Sequence, residues 1–127
     1  MLSLLKRKAR VLLLDDDPAM QRLIATVLRR AGLRVDVVSG GTQALEKIDR
    51  VTYDVLLLDL MTPTEGGVTV IRHLKKAKPE LLRRVILVTA SPESVLKSVA
   101  SDAAAVVHKP FEPEQLVATV TRIIGQR

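Results

Sequence analysis

Cysteine and tryptophan are both absent from this 127-residue chain, and its aromatic side chains number two, Tyr53 and Phe111. The lack of cysteine excludes disulfides, thiolate nucleophiles and thiolate metal sites, and suits a cytoplasmic protein. With 47% hydrophobic but only 2% aromatic residues, the core has to be built from Val, Leu, Ile and Ala. So few rings also leave little surface on which nucleic-acid bases could stack, so direct nucleic-acid binding is not expected. No apolar run approaches the roughly 20 residues a membrane-spanning helix needs. The opening MLSLLKRKAR sets its apolar residues before its basic ones, which is not the order of a secretory signal. It reads as a short lead-in to the first strand.

The chain carries 20 Lys and Arg against 14 Asp and Glu, a formal charge of +6. Basic residues spread over several helical stretches are expected to be solvated faces rather than a polyanion site. The length suits one domain, residues 1–127 with a core of about 10–124, and a domain of this size buries roughly two-thirds of its unfolded surface.

Five short apolar runs recur, at Val11–Leu14, Val35–Val38, Val55–Leu58, Val85–Val88 and Ala103–Val107. Each is too short for a helix, and all but the second are nearly continuous, as strands covered on both faces should be. Between them the spacing turns helical. Met20, Leu23, Ile24, Val27, Leu28 and Ala31 recur at intervals of three and four, with Asp17 and Pro18 as cap and first position and Gly32 as the stop. Further helices are expected over Thr42–Ile48, over Val68–Ala77, from Ser91 and Pro92, and from Glu112 and Pro113. Five strand–helix alternations predict a doubly wound α/β sandwich in three layers, a five-stranded parallel sheet with right-handed crossovers and five helices.

In such sheets ligands sit beyond the carboxyl ends of the strands. The residues there are Asp15, Asp16 and Asp17, then Ser39, Asp59, Thr89 and Lys109. Clustered carboxylates suit a hard cation such as Mg²⁺, which takes one or two carboxylates, keeps waters and shares phosphate oxygens. A lysine facing them makes sense as the counter-charge of a phosphoryl group, and a threonine hydroxyl can donate to another phosphoryl oxygen. The pattern therefore points to metal plus phosphoryl, with a carboxylate as nucleophile.

Four segments in this order, VLLLDDDP, DVLLLDLMTP, VILVTAS and VVHKPF, make the chain resemble the receiver domain of two-component response regulators. The resemblance runs from about Arg10 to Ile124 and implies the flavodoxin-like strand order 2-1-3-4-5. It also implies roles. Asp59 is the phosphoryl acceptor. Asp15 and Asp16 hold Mg²⁺ (Mn²⁺ as a substitute) together with Asp59 and the backbone carbonyl of Met61, Asp16 more directly and Asp15 largely through water. Thr89, the Ala90 amide and Lys109 bind phosphoryl oxygens, with Pro110 holding Lys109 through a cis bond. The implied partners are a sensor histidine kinase or histidine phosphotransfer protein upstream and a downstream protein or fused output domain, with homodimerisation on phosphorylation as a family habit. The resemblance further implies a phospho-accepting signalling module, not an enzyme acting on other substrates, that catalyses its own phosphoryl transfer and its own dephosphorylation.

The chain also departs from the family. An aromatic usually stands three residues before the lysine and turns inward as the threonine moves; here that switch position is Val106. The stretch from Thr89 to Lys109 is about two residues short, which should trim the fourth helix or its loop. After the third strand, Pro63-Thr64-Glu65-Gly66-Gly67 replaces a proline, two variable residues and Asp-Gly, and the paired glycines are expected to loosen the start of the third helix. Two other functions compete. One is a receiver-like binding module that works without phosphorylation, which Val106 favours. The other is a haloacid-dehalogenase-type phosphatase, with Asp15 and Asp17 as its aspartate pair, although Pro18 and the absence of a later acidic motif count against it. His73 and His108 are expected to be structural.

Overall fold

Parallel pairing of all five apolar runs gives one sheet in the order β2-β1-β3-β4-β5. The computed structural model describes residues 8–60, 66–90 and 93–126. Its strands are β1 (Arg10–Leu14), β2 (Arg34–Val38), β3 (Val55–Leu58), β4 (Val85–Thr89) and β5 (Ala105–His108). The helices between and after them are α1 (Pro18–Arg30), α2 (Gly41–Arg50), α3 (Gly67–Ala77), α4 (Glu93–Val99) and α5 (Pro113–Gln126).

The near-continuous apolar runs are explained by burial on both faces. Leu12, Leu14, Leu56, Leu58, Val85 and Leu87 pack into one layer with Ile48, Val70, Ile71 and Leu74 of α2 and α3. Their strand neighbours Val11, Leu13, Val55, Leu57, Ile86 and Val88 pack into the other, against Ile24 and Leu28 of α1 and Leu116, Val120 and Ile123 of α5. Alternation of side chains across a strand does the sorting. As expected from composition the core is aliphatic, with Tyr53 as its one fully buried ring among the described residues.

Helix α1 sets the geometry of the site because it starts directly after β1. Asp17 is extended and its carboxylate accepts from the Ala19 amide, while Pro18 takes the first turn, where its missing N–H costs nothing. At the far end Gly32 adopts φ 91°, the Gly32 amide reaches Arg29 O and the Leu33 amide reaches Leu28 O. This is a Schellman stop, and Arg29 and Arg30 sit favourably at the negative end of the helix dipole.

Several boundaries differ from the sequence expectation. β5 begins at Ala105 rather than Ala103, because a 3₁₀ turn over Ala100–Asp102 follows α4 and the Ala103 amide closes it on Ala100 O. Among the described residues α4 spans seven, Glu93–Val99. α2 is longer than expected at both ends, and a 3₁₀ segment, Pro79–Arg84, joins α3 to β4. The expected helix start at Ser91 and Pro92 lies outside the described residues.

Candidate acidic phosphoryl and metal site

The site is assembled by extending the sheet's ladder one residue past the strand ends. The Asp15 amide donates to Val38 O, the Asp59 amide to Leu14 O and the Lys109 amide to Thr89 O. Each of these residues is thus held by backbone before its side chain does anything. Asp15, Asp59 and Thr89 are the buried polar side chains among the described residues.

Their side chains converge. Lys109 Nζ lies 2.7 Å from Asp15 Oδ2 and 3.2 Å from Asp59 Oδ2. Thr89 Oγ1 donates to Asp59 Oδ1 at 3.0 Å, and the Asp17 amide donates to Asp15 Oδ1 at 2.9 Å. Both oxygens of Asp15 therefore have donors inside the protein. Carboxylate oxygens of Asp15, Asp16 and Asp59 lie within 4.8 Å of one another, and Asp16 is the most accessible of the three. Burial acts to lower the Lys109 pKa, but its hydrogen bond to Asp15, the charges of Asp59 and Asp15 and the hydrogen bond to Asp59 outweigh it, so the pKa is raised. The ammonium is locked on as the counter-charge.

An oxygen-only set of three carboxylates, one of them reachable from solvent and two already sharing a cation, fits a hard divalent ion that keeps some of its waters. A Mg²⁺ ion here would be held by the carboxylates of Asp15, Asp16 and Asp59, with Asp16 the one most open to it.

Of the other expected site residues, Ala90 follows Thr89 at the exposed end of β4, and the Lys109–Pro110 bond is cis. Val106 stands opposite Leu87 in the ladder and packs, partly buried, on the α2 and α3 side of the sheet. The backbone carbonyl expected from Met61 lies outside the described residues, as do Pro63 to Glu65. His73 and His108 are both exposed and neither enters the acidic cluster.

Asp17 is not a site carboxylate. Its side chain caps α1, so the aspartate pairing that a haloacid-dehalogenase reading needs is missing.

Two residues were not anticipated. The paired glycines do not loosen the start of α3. The Gly67 amide donates to Asp59 O at 2.8 Å, and a Cβ at position 67 would stand 2.6 Å from that oxygen. Glycine is there because the backbone approaches that of Asp59 too closely for any side chain. The second is Gln21, whose side-chain amide donates to the Asp15 carbonyl and to Ser39 Oγ.

A parallel 2-1-3-4-5 sheet with buried carboxylates, a hydroxyl and an ammonium at one edge defines a flavodoxin-like phosphoryl-handling module. Residues 11–121 match the response regulator receiver domain, and the chain belongs to that family. It is 36% identical over 118 residues to the DNA-binding response regulator MtrA of Mycolicibacterium smegmatis, covering 89% of this chain and 49% of that protein. It is 31% identical over 121 residues to the transcriptional regulatory protein ResD of Bacillus subtilis, covering 92% and 48%. The chain thus spans about half the length of the curated relatives it matches. Among solved structures it resembles the receiver domain of a sensor histidine kinase from Pseudomonas aeruginosa with magnesium in its active-site cleft, at TM-score 0.84 and 27% identity over 94% of this chain and 99% of that one. The response regulator TrrA of Thermotoga maritima, in complex with Mg²⁺ and a beryllium fluoride, matches at TM-score 0.81 and 28% identity over 91% and 98%. This chain is accordingly a signalling domain of the two-component type. No helix among the described residues is long and apolar enough to cross a membrane.

Proposed function

We propose that Asp59 accepts a phosphoryl group from the phosphohistidine of a sensor histidine kinase or a histidine phosphotransfer protein. A carboxylate oxygen of Asp59 attacks phosphorus, the P–O bond forms, the P–N bond breaks, and its electron pair returns to the imidazole. The observation that carries this reading is the bridging of Asp15 and Asp59 by Lys109 with Thr89 on the other oxygen of Asp59. Asp59 is buried yet restrained by two donors that can turn to a phosphoryl group once it arrives. Lys109 then pairs with a phosphoryl oxygen, Thr89 moves its hydroxyl from Asp59 to another, and the Ala90 amide takes part beside it. Bound Mg²⁺, or Mn²⁺ in its place, supplies charge neutralisation of the phosphoryl oxygens. Hydrolysis by attack of water on the same phosphorus returns the free carboxylate and phosphate, so the domain resets itself.

Residues 1–127 form, on this reading, a single receiver domain of about 10–124 at its core, working in the cytoplasm. Its output is a downstream protein or an attached output domain, with self-association on phosphorylation as one form, and the domain does not itself contact nucleic acid. Val106 makes the output atypical, because a valine cannot swing between a buried and an exposed position as a ring does. That same residue favours the second reading, a module whose partner binds regardless of phosphorylation.

The test is incubation with a small acyl phosphate and Mg²⁺, followed by intact mass measurement, for the wild type and Asp59→Asn. One added phosphoryl group on the wild type and none on the variant is expected. No gain on the wild type, or equal gain on both, overturns the assignment. Partner binding with and without beryllium fluoride separates switch from constitutive module.

A further inference from the structure

We infer that Gln21 is a positioning residue for the metal-binding pair, acting through the peptide unit that joins Asp15 to Asp16. This rests on the phosphoryl-accepting reading above.

Where β2 ends, the ladder that holds β1 runs out. The Asp15 amide still finds Val38 O, but the strand stops at Val38 and the chain turns through Ser39 and Gly40 into α2. The Asp15 carbonyl is instead taken by Gln21 Nε2, from the first turns of α1. A side-chain amide has two N–H donors, and Nε2 also lies 3.0 Å from Ser39 Oγ. Ser39 is itself fixed, because its amide donates to Gln43 Oε1 at 3.0 Å. A chain of contacts thus runs from α2 through Ser39 and Gln21 to the carbonyl of Asp15.

That carbonyl belongs to the same rigid plane as the Asp16 amide. Rotation of the plane moves the Asp16 Cα, and with it the most accessible carboxylate of the cluster. Asp15 has other restraints: the Asp17 amide and Lys109 hold its carboxylate. Asp16 has no comparable hold from its own side chain among the hydrogen bonds described, so the orientation of its carboxylate depends on this peptide plane. Gln21 touches neither acceptor nor phosphoryl group, and its effect is therefore on metal affinity and not on the chemical step.

The experiment titrates the full chain with Mg²⁺ and follows backbone amides by NMR, for the wild type, Gln21→Met, Ser39→Ala and the double variant. Gln21→Met keeps the length of the side chain and removes its donors. It is expected to weaken Mg²⁺ by about tenfold, the lower end of what partners behind metal ligands contribute. Ser39→Ala should weaken it less, and should add nothing on top of Gln21→Met, the signature of residues acting in series. At saturating Mg²⁺ the phosphorylation rate of Gln21→Met with an acyl phosphate should return to that of the wild type, which a general loss of structure would not allow. Wild-type Mg²⁺ affinity in Gln21→Met overturns the inference alone. Should Gln21→Met not fold, unchanged Mg²⁺ affinity in Ser39→Ala overturns it, and a wild type that binds no Mg²⁺ overturns it together with the functional reading beneath it.

Discussion

Lys109 and Asp15, 94 residues apart in the chain, stand 2.7 Å apart in the fold, with the lysine side chain 15% and the aspartate side chain 1% exposed. An unpaired charge at that depth would be costly, whereas a pair with further hydrogen bonds is tolerated. The lysine therefore does two jobs. It makes the acidic site compatible with folding before any metal arrives, and on the proposed function it is the counter-charge for a phosphoryl group on Asp59.

The first prediction follows from that double duty. A divalent cation in the site has to share Asp15 and Asp59 with the ammonium. Lys109→Met keeps most of the aliphatic stem and removes the competing charge. Mg²⁺ affinity should rise on the order of tenfold, or about 1.4 kcal/mol, measured by titration calorimetry, while phosphorylation from an acyl phosphate slows. Weaker Mg²⁺ binding in the variant would mean that Lys109 organises the cluster rather than competing in it.

Gly67→Ala tests the close approach behind Asp59. The new methyl carbon would meet Asp59 O at 2.6 Å, with the Asp59 carbonyl carbon at 3.1 Å and Leu58 Cβ at 3.2 Å, so backbone has to give way. Overpacking of this kind costs typically about 1–3 kcal/mol. Urea unfolding should show that loss, and phosphorylation should slow because the displaced backbone is that of Asp59, the proposed acceptor. Wild-type stability would show that α3 can shift without disturbing β3.

How far all this could be read from sequence depends on the range of the cause. The parallel sheet and its two packed layers follow from the runs VLLL, VLLL and VILV, since continuous apolar strands between helices have to be covered on both faces, whereas the strand order came from the family resemblance. The aspartates, Thr89 and Lys109 were equally legible, because each lies at or just beyond the end of such a run. Gly67 was visible but misread: glycine signals either freedom or close approach, and only the position of Asp59 O decides which. Gln21 carried no signal, because a polar residue near a helix start is ordinary and its partners come from two other loops. The start of β5 was misplaced because Ala103 is as apolar as the strand itself, yet its amide is spent on a 3₁₀ turn.

Asp36 provides a pH prediction away from the site. Its carboxylate accepts from Tyr53 Oη at 2.6 Å and from Arg10 Nε at 3.2 Å. Burial pushes its pKa up, but the Tyr53 hydrogen bond and the Arg10 charge and hydrogen bond prevail, and the net shift is downward. A group whose folded pKa lies below its unfolded value of about 4 stabilises fully above that value and loses its contribution as pH falls through the folded pKa. Asp36→Asn should therefore be less stable than the wild type from about pH 5 upward, with the gap closing toward acid. Urea unfolding at a series of pH values measures the gap, and a constant difference would rule out the titration of Asp36 as its source.

Asp17 and Asp16 are adjacent, alike in chemistry and predicted to behave oppositely. The Asp17 side chain serves α1, accepting from the Ala19 amide at 3.0 Å, where the positive end of the helix dipole also favours it. What Asp17 gives the site is its amide, 2.9 Å from Asp15 Oδ1, and any residue but proline supplies that. Asp17→Ala should cost about 1 kcal/mol of stability, the usual loss for an N-cap, and leave Mg²⁺ affinity and phosphorylation near wild type. Asp16→Ala should do the reverse, because relieving repulsion among three carboxylates that lie within 4.8 Å costs the fold nothing while the metal loses its most accessible ligand. Thermal unfolding and Mg²⁺ titration of the two variants side by side provide the comparison. A loss of Mg²⁺ binding in Asp17→Ala equal to that in Asp16→Ala would return the third aspartate to the site.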